Sequence, residues 1–169
     1  GGFLELGTHT GALTDAHAAA GLATAAPRQW EAKFSDSFGF LELSLRSLAW
    51  AQPAFVHFQL PGGVLSRRGR QGDSSAAASF LHQVVTICTM LRDYGLHFSL
   101  GAVRGSRVWE HRDVAQLGSS MKNVFVETSS CAWRTEWKVI WVVLTSAAWL
   151  QSLARRCPCP EGRKHLELR

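Results

Sequence analysis

Apolar positions along the chain recur first with the period of a strand and then with that of a helix, and these switches divide it into short elements. Phe3–Leu6 reads as a strand, residues 7–11 as a glycine-containing turn, and Ala12–Ala20 as an alanine-rich helix stopped by Gly21. Leu22–Ala26 reads as a second strand, ended by Pro27. Ser37 is placed to cap a helix running to about Trp50, with Leu41, Leu45, Leu48 and Ala49 on its core face. Phe55–Leu60 follows as a strand, and Pro61-Gly62-Gly63 opens a loop that ends at the helix start Asp73-Ser74-Ser75. From Ala76 to Tyr94, the positions Ala77, Phe80, Leu81, Val84, Val85, Ile87, Cys88 and Leu91 fit a helical period, and Gly95 closes it. His97–Leu100 then reads as a strand, Gly101–Glu110 as a loop and Asp113–Leu117 as a short helix. Val124–Glu127 and the β-branched run Lys138–Thr145 are spaced for an antiparallel hairpin.

Strands that alternate with helices predict a mostly parallel sheet, covered by helices on both faces through right-handed crossovers, with an antiparallel edge. The expected architecture is a three-layer α/β domain. A chain of 169 residues fits one domain with one core. Apolar residues make up 46% and charged residues 18%, which excludes a disordered chain. The densest apolar run, Val139–Leu144, stops at Thr145-Ser146, too short to span a bilayer, so no transmembrane segment is expected. The chain opens Gly-Gly-Phe without Met, so an upstream segment is expected to precede it. A net charge of +5 favours acidic partners without choosing among nucleic acid, an anionic surface and an acidic protein. Four cysteines in a chain this long make no disulfide scaffold, and Cys88, on a helical apolar face, reads as a reduced, buried thiol. That cysteine usage favours a reducing compartment, hence an intracellular location, organellar in one reading.

In a doubly wound sheet, ligands bind beyond the carboxyl ends of the strands, which puts the loops at 7–11, 61–75 and 101–110 around any site. Leu4-Glu-Leu-Gly-Thr-His-Thr-Gly-Ala-Leu-Thr14, Val56-His-Phe-Gln-Leu-Pro-Gly62 and Phe98-Ser-Leu-Gly-Ala-Val-Arg-Gly-Ser-Arg-Val-Trp109 stand there in order. In order and spacing, these stretches resemble a cytosine-C5 DNA methyltransferase-like domain of the kind carried by protist mobile elements. The similarity extends over Leu144–Arg169, so it covers nearly the whole chain. It implies a Rossmann-like methyltransferase sheet, mostly parallel with an antiparallel C-terminal hairpin, and S-adenosylmethionine as cofactor.

The same resemblance implies lost chemistry. The family's first motif is Phe-x-Gly-x-Gly. Here Gly7 stands at the Phe position and His9 at the first Gly position, while Gly11 matches the second. Gly7 and Gly11 are the candidate cofactor-binding positions, and a side chain at His9 would crowd the cofactor. The acid that holds the ribose hydroxyls after the second strand is not offered by Ala23-Thr-Ala-Ala-Pro-Arg28. Pro61-Gly62 replaces the Pro-Cys whose thiolate attacks cytosine C6, and Gly101-Ala102-Val103 replaces the Glu-Asn-Pro or Glu-Asn-Val that positions and protonates the base. Groups that act as a unit fail as a unit, so no catalytic residue and no bound cofactor are expected.

Other constellations carry less. Cys157-Pro-Cys159 with His165 and Cys131 has the residue types of a zinc site, but one intervening residue is tighter than the usual two to four, so loop thiols and no metal are expected. Asp15 and His17, two apart on a helix, point away from each other and are expected on the surface. Arg67, Arg68, Arg70, Arg104 and Arg107 fall at one end of the sheet, as a patch for phosphate or an acidic partner or as a solvated rim. Trp133, Trp137, Trp141 and Trp149 crowd the hairpin, as core or as docking surface. Three functional readings compete: a catalytically degenerate methyltransferase-like domain kept as a structural or interaction subunit with protein partners, organellar in one version; an active methyltransferase working by proximity; and a nucleic-acid binder without catalysis.

Overall fold

Strands form where aromatic and β-branched residues alternate, and the longest helix forms where apolar residues recur every three to four positions. The computed structural model describes residues 2–7, 11–27, 37–60, 74–120, 123–133 and 139–160. In chain order, these form β1 (Phe3–Leu6), α1 (Ala12–Ala19), α2 (Ser37–Ala51), β2 (Phe55–Gln59), α3 (Ser74–Asp93), β3 (His97–Val103), α4 (Arg112–Gly118), β4 (Val124–Ser129) and β5 (Ile140–Thr145). Short 3-10 helices follow at Arg107–Glu110, Ser130–Trp133 and Ala148–Leu153.

The five strands form one sheet in the order β1-β2-β3-β5-β4. β1, β2 and β3 run parallel, while β5 runs antiparallel to both β3 and β4. The hairpin thus docks through its second strand and makes the expected antiparallel edge: β5 lies inside the sheet, and β4, at the edge, points the same way as β3. Burial explains the choice. Ile140-Trp-Val-Val-Leu-Thr145 is half-buried or buried throughout, whereas β4 exposes Phe125 and Glu127 to solvent.

The connection from β1 through α1 leads to Thr24, which bridges Phe3, and the chain then reverses through α2 to reach β2 on the other side of β1. With right-handed crossovers, that reversal puts α1 on one face and α2, α3 and α4 on the other. The packing agrees, since α2 lies against α3 and α3 against α4, while α1 lies against β1. The fold is therefore the expected three-layer α/β sheet, parallel in its first half.

The two faces differ sharply. Leu4, Leu6, Val56, Phe58, Leu60, Phe98, Leu100, Ala102 and Leu144 point to the three-helix side, where Phe80, Leu81, Val84, Ile87, Cys88 and Leu91 of α3 cover them in one apolar core. Cys88 is fully buried there, as expected, and burial pushes its thiol pKa well up. The α1 side instead carries Glu5, His57 and Ser99, all buried.

Several expectations need correction. Leu22–Ala26 forms a single bridge at Thr24 rather than a strand, since this Ala-rich stretch has few side chains suited to a sheet and ends at Pro27. β3 runs on through Gly101, Ala102 and Val103, which pair with Val143, Val142 and Trp141. The buried face of α2 holds Ser44 and Ser47 beside Leu41 and Leu48, while Leu45 and Ala49 are turned to solvent. Both sets have helical spacing, and the small serines let the helix come close to its neighbours. No helix among the described residues is long and apolar enough to cross a membrane.

Phe98 is fully buried at the centre of the apolar layer. Phe98→Ala is expected to cost about 3–5 kcal/mol, read as a lower urea midpoint, whereas Trp50→Ala, at an 83% exposed position, should stay within about 0.5 kcal/mol.

Candidate functional site

The parallel strands β1, β2 and β3 bring their carboxyl ends to one side, at Gly7, Leu60 and Arg104. Gly7, directly after β1, has φ 84°, and Gly11, directly before α1, has φ 66°, so both candidate cofactor positions have left-handed backbone that favours glycine. The backbone N–H and hydroxyl of Thr14 donate to the same oxygen of Glu5 at 2.9 and 2.8 Å, which ties α1 to the centre of β1. The ring of Pro27 closes on Gly11: a Cβ there would stand 3.0 Å from its Cγ. His9, Pro61, Gly62, Arg67, Arg68 and Arg70 lie outside the described residues.

Gly101, Ala102 and Val103 are strand rather than loop, and alternation sends them to opposite faces. Ala102 is buried in the apolar layer. Gly101 faces the α1 side, where the imidazole of His57 lies against it. A Cβ at 101 would meet His57 Cε1 at 3.0 Å and Nε2 at 3.4 Å. Any side chain there, a carboxyl above all, competes with that ring for space. Beyond Val103, the chain folds back on itself: Ser106 N–H and Trp109 Nε1 both donate to the Val103 carbonyl at 3.0 Å, and Val108 is fully buried.

His57 belongs to a row the linear sequence does not display. Glu5, His57, Ser99 and Thr145 are consecutive partners across β1, β2, β3 and β5. Nδ1 of His57 is 2.7 Å from Ser99 Oγ, and Nε2 is 3.4 Å from Gln59 Oε1. With a carbonyl oxygen facing Nε2, the proton belongs on Nε2, and Nδ1 accepts from the Ser99 hydroxyl. Burial pushes the His57 pKa below its usual 6.5; the Gln59 hydrogen bond and the Glu5 charge work against that shift, and His17 works with it. The imidazole is held neutral.

A carboxylate, an imidazole and a hydroxyl in one row invite comparison with a hydrolytic triad. Here, however, the Glu5 oxygen is taken by Thr14, Nε2 faces Gln59, and all three groups are buried, so no scissile bond reaches them. The signal in the sequence was the period-two set Phe55, His57 and Gln59, opposite the apolar set Val56, Phe58 and Leu60.

The basic patch is met at two described positions. Arg104 and Arg107 stand at the carboxyl end of β3, and Arg104 Nε is 3.5 Å from Glu127 Oε1, an exposed ion pair that draws it toward β4. Asp15 is exposed as expected, but His17 is half-buried: its ring stacks on Phe3 at 3.9 Å, and its Nδ1–H donates to the Leu13 carbonyl. Trp141 is half-buried in β5, and Trp149, 61% exposed, lies 5.6 Å from Phe55. Trp137 and His165 lie outside the described residues, as does the side chain of Trp133. A groove of about 570 Å³ lies at the amino end of β1 between Thr24 and Trp50, and another of about 520 Å³ lies between α3 and α4. The first is at the opposite end of β1 from its carboxyl end.

One group of metal-ligating side chains forms among the described residues: the sulfurs of Cys131, Cys157 and Cys159 all lie within 4.8 Å of one another. Burial, with the adjacent Cys157 and Cys159 thiols, pushes the Cys131 pKa up to about 11.

No protein-family model and no curated protein matches this chain. Solved structures do. S. pombe Dnmt2 methyltransferase superposes with a TM-score of 0.54 at 11% identity, over 85% of this chain and 50% of that one. A mutant of DNMT2 from Spodoptera frugiperda superposes with a TM-score of 0.54 at 14% identity, over 98% of this chain and 54% of that one. The fold is thus that of a Rossmann-like methyltransferase, and the chain spans about half the length of the structures it matches.

For S-adenosylmethionine, the group the resemblance implies, the fit is incomplete. The glycine turn allows close backbone approach, but residues 22–27 offer no carboxylate for a ribose, and Pro27 is packed onto Gly11.

Two outcomes follow. Gly101→Ala should cost about 1–3 kcal/mol through overpacking, and in the double variant with His57→Ala most of that cost should vanish, as read by a double-mutant cycle. Because the folded pKa of His57 lies below the unfolded one, the unfolded state binds more protons between the two values. Stability is full above pH 6.5 and is lost as the pH falls below it. The slope approaches about 1.4 kcal/mol per pH unit, and urea titrations at successive pH values should show His57→Gln without this component.

Proposed function

We propose that this chain is a methyltransferase-like domain that no longer transfers methyl groups and serves as a structural or interaction subunit within a larger assembly. The observation that carries this reading is the His57 imidazole lying over Gly101, the position where the resembled family has its catalytic acid. The space for a carboxyl is occupied by a neutral ring fixed to Ser99 and facing Gln59. Restoring an acid at 101 would therefore require removing a second residue on the adjacent strand. Gly62 at the nucleophile position points the same way from sequence. In this reading, the domain descends from the mobile-element branch of cytosine-C5 methyltransferases, holds no cofactor and binds protein partners, in an organelle in its most specific version.

The competing reading, an active transferase working by proximity, draws on the left-handed backbone of Gly7 and Gly11, the two candidate cofactor positions. The nucleic-acid reading rests on arginines mostly outside the described residues, while Arg104 is engaged with Glu127. The absence of any salt-sensitive retention on DNA and RNA columns would remove it.

Calorimetric titration of the full chain with S-adenosylmethionine separates the first two. No saturable heat is expected. A dissociation constant in the micromolar range would contradict the loss of cofactor and favour an active enzyme.

A further inference from the structure

We propose that Cys131, Cys157 and Cys159 form a zinc-binding site that staples the C-terminal segment to the edge of the sheet. The placement follows from the backbone. β4 leads directly into the 3-10 helix Ser130–Trp133, which carries Cys131 to a buried position at the end of the edge strand. The chain returns after β5, and Arg155 bridges Thr128 in parallel. Ser129 N–H donates to the Arg155 carbonyl at 2.8 Å, and Arg155 N–H donates to the Glu127 carbonyl at 3.3 Å. This single stitch along β4 delivers the following Cys157-Pro-Cys159 beside Cys131.

The distances suit the metal. Zinc binds thiolate sulfur at about 2.3 Å in tetrahedral geometry, so its sulfur ligands stand about 3.8 Å apart. All three sulfurs here already fall within 4.8 Å of one another, so small side-chain adjustments would set them at three corners of the tetrahedron, with water taking the fourth. Pairing into a disulfide would consume two of the three and strand the third, and none of them is disulfide-bonded. Three soft sulfur donors with no carboxylate among them select zinc over magnesium or calcium. Three thiolates around a divalent cation leave one net negative charge, and Arg155 and Arg156 immediately precede Cys157.

The tight Cys-x-Cys spacing argued against zinc while the two cysteines were read as half of a four-ligand motif. Here they supply two ligands and a distant segment supplies the third. The surroundings give the metal a purpose: residues 151–156 are all exposed and bury no apolar core of their own, and small or peripheral segments are commonly held by metal or disulfide staples. The pin also covers the outer edge of β4, whose unpaired backbone groups would otherwise invite pairing with another chain. None of this depends on whether the domain transfers methyl groups.

The test is the metal content of the full chain, purified under reducing conditions and measured by inductively coupled plasma mass spectrometry. About one zinc per chain is expected, retained in Cys88→Ala and reduced at least tenfold in Cys131→Ser and in the Cys157→Ser/Cys159→Ser pair. Where a variant fails to fold, the unmodified chain answers alone. After chelation, re-addition of zinc chloride should protect three thiols from a thiol reagent, and cobalt(II) in its place should give thiolate-to-cobalt charge-transfer absorption. A chain that takes up no zinc after chelation, or whose zinc survives Cys131→Ser, overturns the proposal.

Discussion

A buried imidazole needs both a hydrogen-bond partner and room, and in this sheet the two needs fix residues on neighbouring strands. Ser99 supplies the partner at 2.7 Å, and the missing side chain of Gly101 supplies the room. Leaving such a buried polar group unpaired would cost about 1–3 kcal/mol, and filling the space beside it would cost a similar amount. The register of β1, β2 and β3 is thereby held on the polar face as well as the apolar one, because a slip of one residue would set His57 into the hydrocarbon layer.

The two faces of the sheet are held by different kinds of contact. The layer formed by α3 against Phe58, Phe98 and Leu144 depends only on apolar shape. On the other face, the polar residues have turned inward. Glu5 holds Thr14, Ser99 holds His57, and the Thr145 hydroxyl donates to the Phe98 carbonyl while accepting from Ala147 N–H. Polar groups that are bonded to one another and buried are structural cement rather than reagents, and the same contacts that make the sheet rigid make it unavailable to a substrate.

The order of elements was legible in the sequence because it depends on local periodicity: α3 and the β4–β5 hairpin fall close to their expected bounds. What failed did so for identifiable reasons. Gly101 reads as a breaker when taken alone, and only the position of His57 on the next strand shows why a glycine belongs inside β3. Leu45 reads as core because leucine is apolar, yet the smaller Ser44 and Ser47 take the buried side of α2. The collinear motifs that suggested a methyltransferase were sufficient for the fold, since solved structures at 11% and 14% identity share it. The polar row was invisible as such, because only strand register joins its residues; the cysteine set was legible by residue type, but only the return of the chain after β5 shows that its three sulfurs meet.

The central claim is that the space beside Gly101 is filled by a neutral, solvent-excluded His57, and the nitrogen-15 shifts of that imidazole test it most directly. Across a titration from neutral pH downward, the account predicts a ring that stays neutral, with its proton on Nε2, below pH 6.5. A ring that titrates at 6.5 or above, exchanging freely with water, would mean that the position beside Gly101 is an open site, and the account would be wrong.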